Sequence, residues 1–375
     1  MVWLVLGLAA VGLVIGLSAA GVLVRAGRRL GMLDTAGAAG HAKRQIRSVP
    51  NIGGVAIYLA VVLPLAGGLV LLHVIPGQWW GSWVSAVADH LPRVKHSTPT
   101  AIAMLVCLTA LHVVGLVDDR RSLSAWPKLA VQTAAAAVMT IWFDVRLLEL
   151  LGDVPSIVVT IVWIVAITNA LNFMDNMDGL AAGVTVIAGG LFMAATIVNH
   201  QWFIAGTLAL LVGGSLGFLV FNFPPAKIFM GDAGSLVIGF VLAVLTARTT
   251  FYNPAEGDYA LGTAWYGLFM PVVVLAIPLY DFTTVTVIRL AQGKSPFVGD
   301  QQHFSHRLLR RGLSQRGTVI VIWGATAVTG IGGISMGTLQ PWQAVLVGVQ
   351  TVAVLTVIAL LEGASRRAAN AERAP

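Results

Sequence analysis

The sequence predicts an all-α polytopic integral membrane protein of about 10–11 transmembrane helices, and three observations carry that prediction. Of its 375 residues 57% are hydrophobic and only 10% are charged. Apolar runs of about 20 residues, the length that crosses a hydrocarbon layer as a helix, recur along nearly the whole chain. The scarce charged and amide side chains gather at the ends of those runs, although placing such groups near lipid costs about 2.5–3.5 kcal/mol or more each. Backbone groups in lipid must be satisfied internally, and the runs are too long and too uniformly apolar for barrel strands, so they are helices.

Taken in order, the first run lies near 2–23 and is followed by Arg25, Arg28 and Arg29. Because the positive charges follow the apolar stretch instead of preceding it, this run reads as a span and not as a cleaved signal peptide. A basic loop over 25–52 leads to the second span near 53–75, and an outer loop over 76–98 leads to the third near 99–117. The third ends in the first polar cluster, GLVDDRRSLSAWPK at 115–128. The fourth span, near 128–142, and the eighth, near 233–247, are the shortest. The fifth, near 155–173, ends in NALNFMDNMDGLAAG at 169–183, and the sixth follows near 180–198. The seventh, near 203–221, runs into FNFPPAKIFMGDAGS at 221–235. The ninth, near 264–288, precedes the longest inner loop, which holds GDQQHFSHRLLRRG at 299–312. Spans near 317–336 and 340–361 complete the set, so residues 1–362 form one transmembrane catalytic domain and 363–375 a cytoplasmic tail.

Basic residues orient the bundle. With the first segment entering from outside, only Arg93, Lys95, Arg146 and Arg248 of the 23 Lys and Arg residues fall on the outer side. That asymmetry places the N-terminus outside, the C-terminus inside and all four clusters on the cytoplasmic face, where the active site is expected. The net charge of +7 follows from the same loops, so anionic lipid and a phosphorylated substrate are the expected partners and nucleic acid is not. Cys107 is the single cysteine, which excludes a disulfide framework within the chain. Small-residue spacings such as Gly12 to Gly16 and Gly213 to Gly217 suit close helix approach, by internal packing in the first instance and in a homodimer as the alternative.

Each cluster has a local structural use and a chemical one. Asp118 and Asp119 serve either as a cap plus a solvated charge or as oxygen ligands for magnesium, an ion that takes one or two carboxylates plus substrate phosphates. Asn172, Asp175 and Asp178, three apart, line one side of a helical turn, with Asn169 a turn earlier. Asp178 has the further option of capping the next helix, with Gly179 as the stop. Pro224 and Pro225 force an extended turn after Asn222, and Gly231 bends the chain before Asp232 opens a helix. Asp232 and Ser235 are spaced as a cap pair, while the helix N-terminus itself suits phosphate. Phe229 is either core or the wall of a base pocket. In the fourth cluster His303, His306 and Arg307 lack a third His or Cys for zinc and read better as an anion clamp. No Walker A loop, dinucleotide glycine fingerprint, GxSxG or HExxH occurs, which excludes the usual ATP hydrolysis and triad hydrolysis. A transporter of anionic solutes would place its polar groups near the midplane in two repeated halves; here they lie at one surface and no repeat is visible.

With these residues in hand, the chain resembles the polyprenyl-phosphate N-acetylhexosamine-1-phosphate transferases, of glycosyltransferase family 4 type. The resemblance runs from SVPNIGG at 48–54 through VDDRRS, NFMDNMDGLAAG, FMGDAGS and HFSHRLLRRG. It is nearest the undecaprenyl- or decaprenyl-phosphate N-acetylglucosamine branch, which starts teichoic acid, O-antigen or arabinogalactan linkage synthesis. The peptidoglycan branch typically shows consecutive histidines in the fourth cluster, and this chain does not. Where the related branch carries HxHH, this chain has Ser305 at the third position, and restoring histidine there is expected to be tolerated.

The resemblance implies transfer of a sugar 1-phosphate from a UDP-sugar to a membrane polyprenyl phosphate, with release of UMP, at the bacterial inner membrane. It implies Mg2+, or Mn2+, held by Asp232 with Asp118 and Asp119. It assigns catalytic roles to Asp118, Asp119, Asp175, Asp178 and His303, and substrate binding to Arg47, Lys128, Asn172, Asn222, Phe229, His306 and Arg307. Among these, Asn222 and Phe229 hold the uridine, and Lys128 and the His303–His306–Arg307 group bind phosphates. The attacking phosphate monoester, with a second pKa near about 6, is mostly dianionic at neutral pH and hardly needs a general base. Direct attack on the β-phosphorus is the favoured course, with a covalent Asp intermediate as the alternative.

Overall fold

The computed structural model describes residues 1–29, 49–76, 91–249, 252–253, 258–259, 265–295 and 302–371. Helices account for nearly all of it, because long apolar segments that lack water must close their own backbone hydrogen bonds. In chain order they are α1 (Val2–Arg29), α2 (Gly54–Val74), the short α3 (Leu91–His96), α4 (Thr98–Arg120), α5 (Ala125–Ile141), α6 (Asp153–Met174) and α7 (Leu180–Val198). There follow α8 (Trp202–Asn222), α9 (Asp232–Thr249), α10 (Met270–Val274), α11 (Ala276–Ala291), α12 (Phe304–Leu309), α13 (Gln315–Ile334) and α14 (Pro341–Ala371). Residues 252–253 and 258–259 pair as a minimal antiparallel ladder.

Among the described residues nine helices are long and apolar enough to span a membrane, and a tenth span is a bent pair. That pair is the expected ninth span, broken at Leu275 into α10 and α11 with a 65° bend. Pro278 explains the break: it has no N–H to offer the Val274 carbonyl one turn back, so it sits in the first turn of a new helix. The expected fourth span is α5, whose 17 residues reach about 26 Å against a hydrocarbon layer of about 30 Å.

The centre of the bundle is α9, with 89% of its apolar window buried. It packs against α2, α4, α6, α7 and α8. At its N-terminus Gly54 meets the backbone of Ala233 and Gly234, an approach that leaves no room for a side chain. The glycine spacings in α1 and α8 are used internally: Gly12 faces Leu210, Gly213 faces Ala9, and Gly217 faces Leu17.

Candidate active site

The chain ends of α4, α6 and α8 and the N-termini of α5, α7 and α9 meet at one end of the bundle, and there the polar clusters join. Lys128, on the first turn of α5, places its Nζ 2.9 Å from Asp118 Oδ2 and 2.9 Å from Asp232 Oδ2. Asn172 Nδ2 donates to Asp232 Oδ1 at 2.9 Å and to Ser235 Oγ at 2.8 Å. The other Asp118 oxygen accepts the Leu123 N–H at 2.7 Å, which folds the 121–124 link back on α4. One cation thus ties three helices through two carboxylates.

Adjacent carboxylates at a helix end diverge, and Asp119 turns the other way. Its two oxygens accept the N–H groups of Asp232 at 2.9 Å and Ala233 at 3.1 Å, so it caps α9 from a different helix. Asn51 Nδ2 adds a contact to Asp119 Oδ1 at 3.3 Å. This corrects two expectations. Asp232 does not cap its own helix, since its side chain points to Lys128 and Asn172. Nor does the first turn of α9 stand open to phosphate, because Asp119 already satisfies two of the donors that every helix start leaves free. Gly231, at φ +70°, is required here: a Cβ would run into the Asp119 carboxylate.

The loop after α8 is built as a brace. Asn222 is buried; its Oδ1 accepts the Gly179 N–H and its Nδ2 donates to the Ile228 carbonyl, both at 2.9 Å. The amide expected to hold a base thus bonds two backbone groups. Asp178 Oδ2 accepts the Ala226 N–H at 3.0 Å and so ties two loops, while Gly179 at φ +76° takes the left-handed position before α7. The 49–54 segment lies alongside: Phe229 N–H donates to the Pro50 carbonyl at 2.8 Å and its carbonyl accepts from Gly53 at 2.9 Å. Phe229 itself is half-buried. Arg47 and Asp300 lie outside the described residues.

Asp175 follows α6 and receives the Gly231 N–H; burial above all, then the Asp232 and Asp119 carboxylates, holds its carboxyl well above the ordinary range. A narrow cavity of about 60 Å³ is lined by Lys128, Gln132, Asn169, Asn172, Phe173 and Asp232. Asn169 Nδ2 donates to Gln132 Oε1 at 2.6 Å on its wall.

The fourth cluster reaches this end as well. Ser305 Oγ donates to Asn176 Oδ1, and Ser305 is 1% exposed. That burial and that bond argue against the expectation that histidine is tolerated here, because the larger ring would need room and would take the hydroxyl from Asn176. The His303 ring meets Phe173 edge-on at 5.4 Å, with Arg289 5.1 Å from the same phenyl ring. His303 Nδ1 lies 2.9 Å from Asp281 Oδ2, and the Phe304 N–H donates to Asp281 Oδ1 at 2.6 Å. Arg307 Nη2 donates to Thr284 Oγ1 at 3.2 Å, His306 sits 6.4 Å from His303 ring to ring, and Arg316 Nε donates to the Pro224 carbonyl at 2.9 Å. Asp281 was not among the expected site residues. A carboxylate inside the ninth apolar run is the signal that could have found it.

Chemically, the carboxylates Asp118 and Asp232 offer oxygen ligands. Asp118 and Asp232 already share one cation, and a pair of carboxylates open to further oxygen ligands fits a hard divalent ion that completes its shell with phosphates and water. Among the described residues no three His, Cys, Asp or Glu side chains converge as a ready-made ligand set.

Comparison with known proteins points the same way. Residues 101–250 match the family described as glycosyl transferase family 4. Over 344 residues the chain is 33% identical to a decaprenyl-phosphate N-acetylglucosaminephosphotransferase of Mycobacterium tuberculosis, covering 84% of this chain and 80% of that one. It is 28% identical over 311 residues to a probable undecaprenyl-phosphate N-acetylglucosaminyl 1-phosphate transferase of Bacillus subtilis, covering 80% and 81%. A phospho-N-acetylmuramoyl-pentapeptide-transferase of Levilactobacillus brevis matches at 28% identity over 325 residues, covering 81% and 88%.

Proposed function

The chain belongs to glycosyl transferase family 4, and from that membership and the acidic site we propose that it transfers N-acetylglucosamine 1-phosphate from UDP-N-acetylglucosamine to a membrane polyprenyl phosphate, releasing UMP. The step opens cell-envelope glycopolymer synthesis, in a multi-pass bacterial membrane protein whose N-terminus lies outside and C-terminus inside. The observation that carries the reading is the junction of Asp118, Lys128, Asn172 and Asp232, which brings an amide, an ammonium and two carboxylates from four helices to one end of the bundle.

Magnesium, or manganese, would be held by Asp232 and Asp118 together with substrate phosphates, and when bound it neutralises charge between donor and acceptor. Asp119 supports that pair by fixing the helix start that carries Asp232. Lys128 is placed to shift from the two carboxylates to an incoming phosphate. His303, His306 and Arg307 meet the diphosphate from the opposite loop, Arg307 with a planar fork suited to phosphate oxygens. An oxygen of the acceptor phosphate forms a bond to the β-phosphorus, the bond from that phosphorus to the bridging oxygen breaks, and UMP departs.

The test is UMP release by purified protein given a polyprenyl phosphate, magnesium and a panel of UDP-sugars. UDP-N-acetylglucosamine is expected to turn over fastest. Faster turnover of the muramoyl-pentapeptide donor would move the protein to peptidoglycan synthesis, and no release from any donor would refute the reading.

A further inference from the structure

Asp281 lies in the first half of α11, inside an apolar span, and is 1% exposed. A carboxylate in such a place must be fully matched by donors or it disrupts the helix that carries it. Its two oxygens are matched, one by the ring Nδ1 of His303 and one by the Phe304 N–H, and both donors come from the loop 22 and 23 residues further on. The loop is thus drawn down onto α11, with Thr284, one turn along the same helix, receiving Arg307.

We infer that Asp281 is a positioning residue for His303, holding the proton on Nδ1 so that Nε2 is the vertex presented to the phosphates of the substrate. The inference rests on the reading of His303 as a phosphate-binding group. A carboxylate only accepts, so the nitrogen facing it carries the hydrogen. His303 Nε2 has no protein partner among the described residues, and Phe173, against which the ring is seated, also lines the narrow cavity beside Lys128 and Asp232. For Nε2 to donate to a phosphate oxygen the ring must hold both protons, and Asp281 supplies the counter-charge for that imidazolium. The family-like pattern of the fourth cluster shows His303 but not this partner.

A plain capping role makes a different prediction. Asn caps a helix start as well as Asp does, so a cap would survive Asp281→Asn. The dyad would not: with the amide oxygen kept on the Phe304 N–H, the NH₂ group faces Nδ1, which must then accept, and the neutral ring carries its proton on Nε2. That neutral ring still donates from Nε2 but without its charge, and exchanging a charge-assisted hydrogen bond for a neutral one of about half its strength corresponds to about 5- to 10-fold in rate.

Four full-length proteins decide it: wild type, Asp281→Asn, His303→Ala and the double variant, each assayed for UMP release with kcat and KM for UDP-N-acetylglucosamine measured separately. Asp281→Asn is expected to lower kcat about 5- to 10-fold with a near wild-type melting curve, and the double variant to be no slower than His303→Ala. Single losses that multiply in the double variant, or wild-type turnover in Asp281→Asn, overturn the proposal. The ¹⁵N resonances of the His303 ring, assigned by their loss in His303→Ala, read the same point without substrate: proton on Nδ1 in wild type, moved to Nε2 in Asp281→Asn. If wild type releases no UMP the functional reading has failed, and the ring resonances still decide the dyad: an unprotonated Nδ1 in wild type overturns it.

Discussion

Replacing Asp232 by Asn asks whether the acidic junction is a working site or a clasp between helices. The carboxylate takes Lys128 Nζ on one oxygen and Asn172 Nδ2 on the other, each at 2.9 Å. An amide of the same shape has one acceptor and one donor, so whichever way it turns, one of those partners faces an NH₂ group. The tolerable orientation keeps the carbonyl toward Lys128, since Asn172 retains Ser235 Oγ at 2.8 Å as an acceptor and Lys128 retains Asp118 at 2.9 Å. The loss of stability is then that of one charge-assisted hydrogen bond, about 1.5–3 kcal/mol, and the bundle stays folded. Turnover suffers more. The site loses one negative charge and the group proposed as its main cation ligand, and removing one such electrostatic group costs about 10²–10³ in kcat, roughly 2.7–4 kcal/mol. The measurements are UMP release across a magnesium series, Mn2+ binding by electron paramagnetic resonance, and melting curves in detergent. Turnover within a few-fold of wild type at ordinary magnesium, with Mn2+ binding unchanged, would refute the reasoning and leave Asp232 as a helix tie.

Three further outcomes are expected. Cysteines introduced one at a time at Ser122, Lys227 and Arg310, all exposed, resist an impermeant thiol reagent in intact cells and react after permeabilisation, the native Cys107 being buried; labelling of any of them from outside would break the orientation. Ser305→His overpacks a filled site and leaves Asn176 without its donor, lowering stability by about 1–3 kcal/mol and slowing UMP release; a wild-type melting curve would show that the loop yields. Asp175, whose carboxyl is held well above its ordinary range by burial, favours the folded state fully below the usual carboxyl range, and that contribution is lost as pH rises through the raised value. Asp175→Asn in metal-free buffer is therefore expected to flatten the pH dependence of the melting midpoint on the alkaline side; an unchanged profile counts against a protonated Asp175.

The spans were legible because each is a continuous apolar run, and the glycine and proline punctuation located Gly179 and Gly231 at the left-handed positions where they are found. The four clusters were legible as one site because each ends a run on the same side. Partnerships inside the site were not. Asp119 caps a helix whose first residue lies 113 positions away, and Asp281 meets a histidine 22 positions away across a loop. Such pairs carry no local periodicity, so only the packing of α4 on α9 and of the His303 loop on α11 reveals them. Asn222 shows the reverse limit. Its type and place suggested a ligand contact, but a side-chain amide serves equally well as a substitute for two backbone partners, and here it does so.

The burial of α9 bears on how the protein is made. Of the nine long helices it has the lowest mean hydropathy, 1.4, and it begins with the charged residue Asp232. Such a segment partitions weakly into lipid by itself, so its insertion leans on helices already in place. Four of its five neighbours, α2, α4, α6 and α7, precede it by at least one whole span, and α8 comes immediately before. The lysine, amide and capping carboxylate that receive its first turn are thus present before it arrives. Entry of α9 then closes the acidic junction: a chain that ends before this helix holds the partners of Asp232 but not the junction they form.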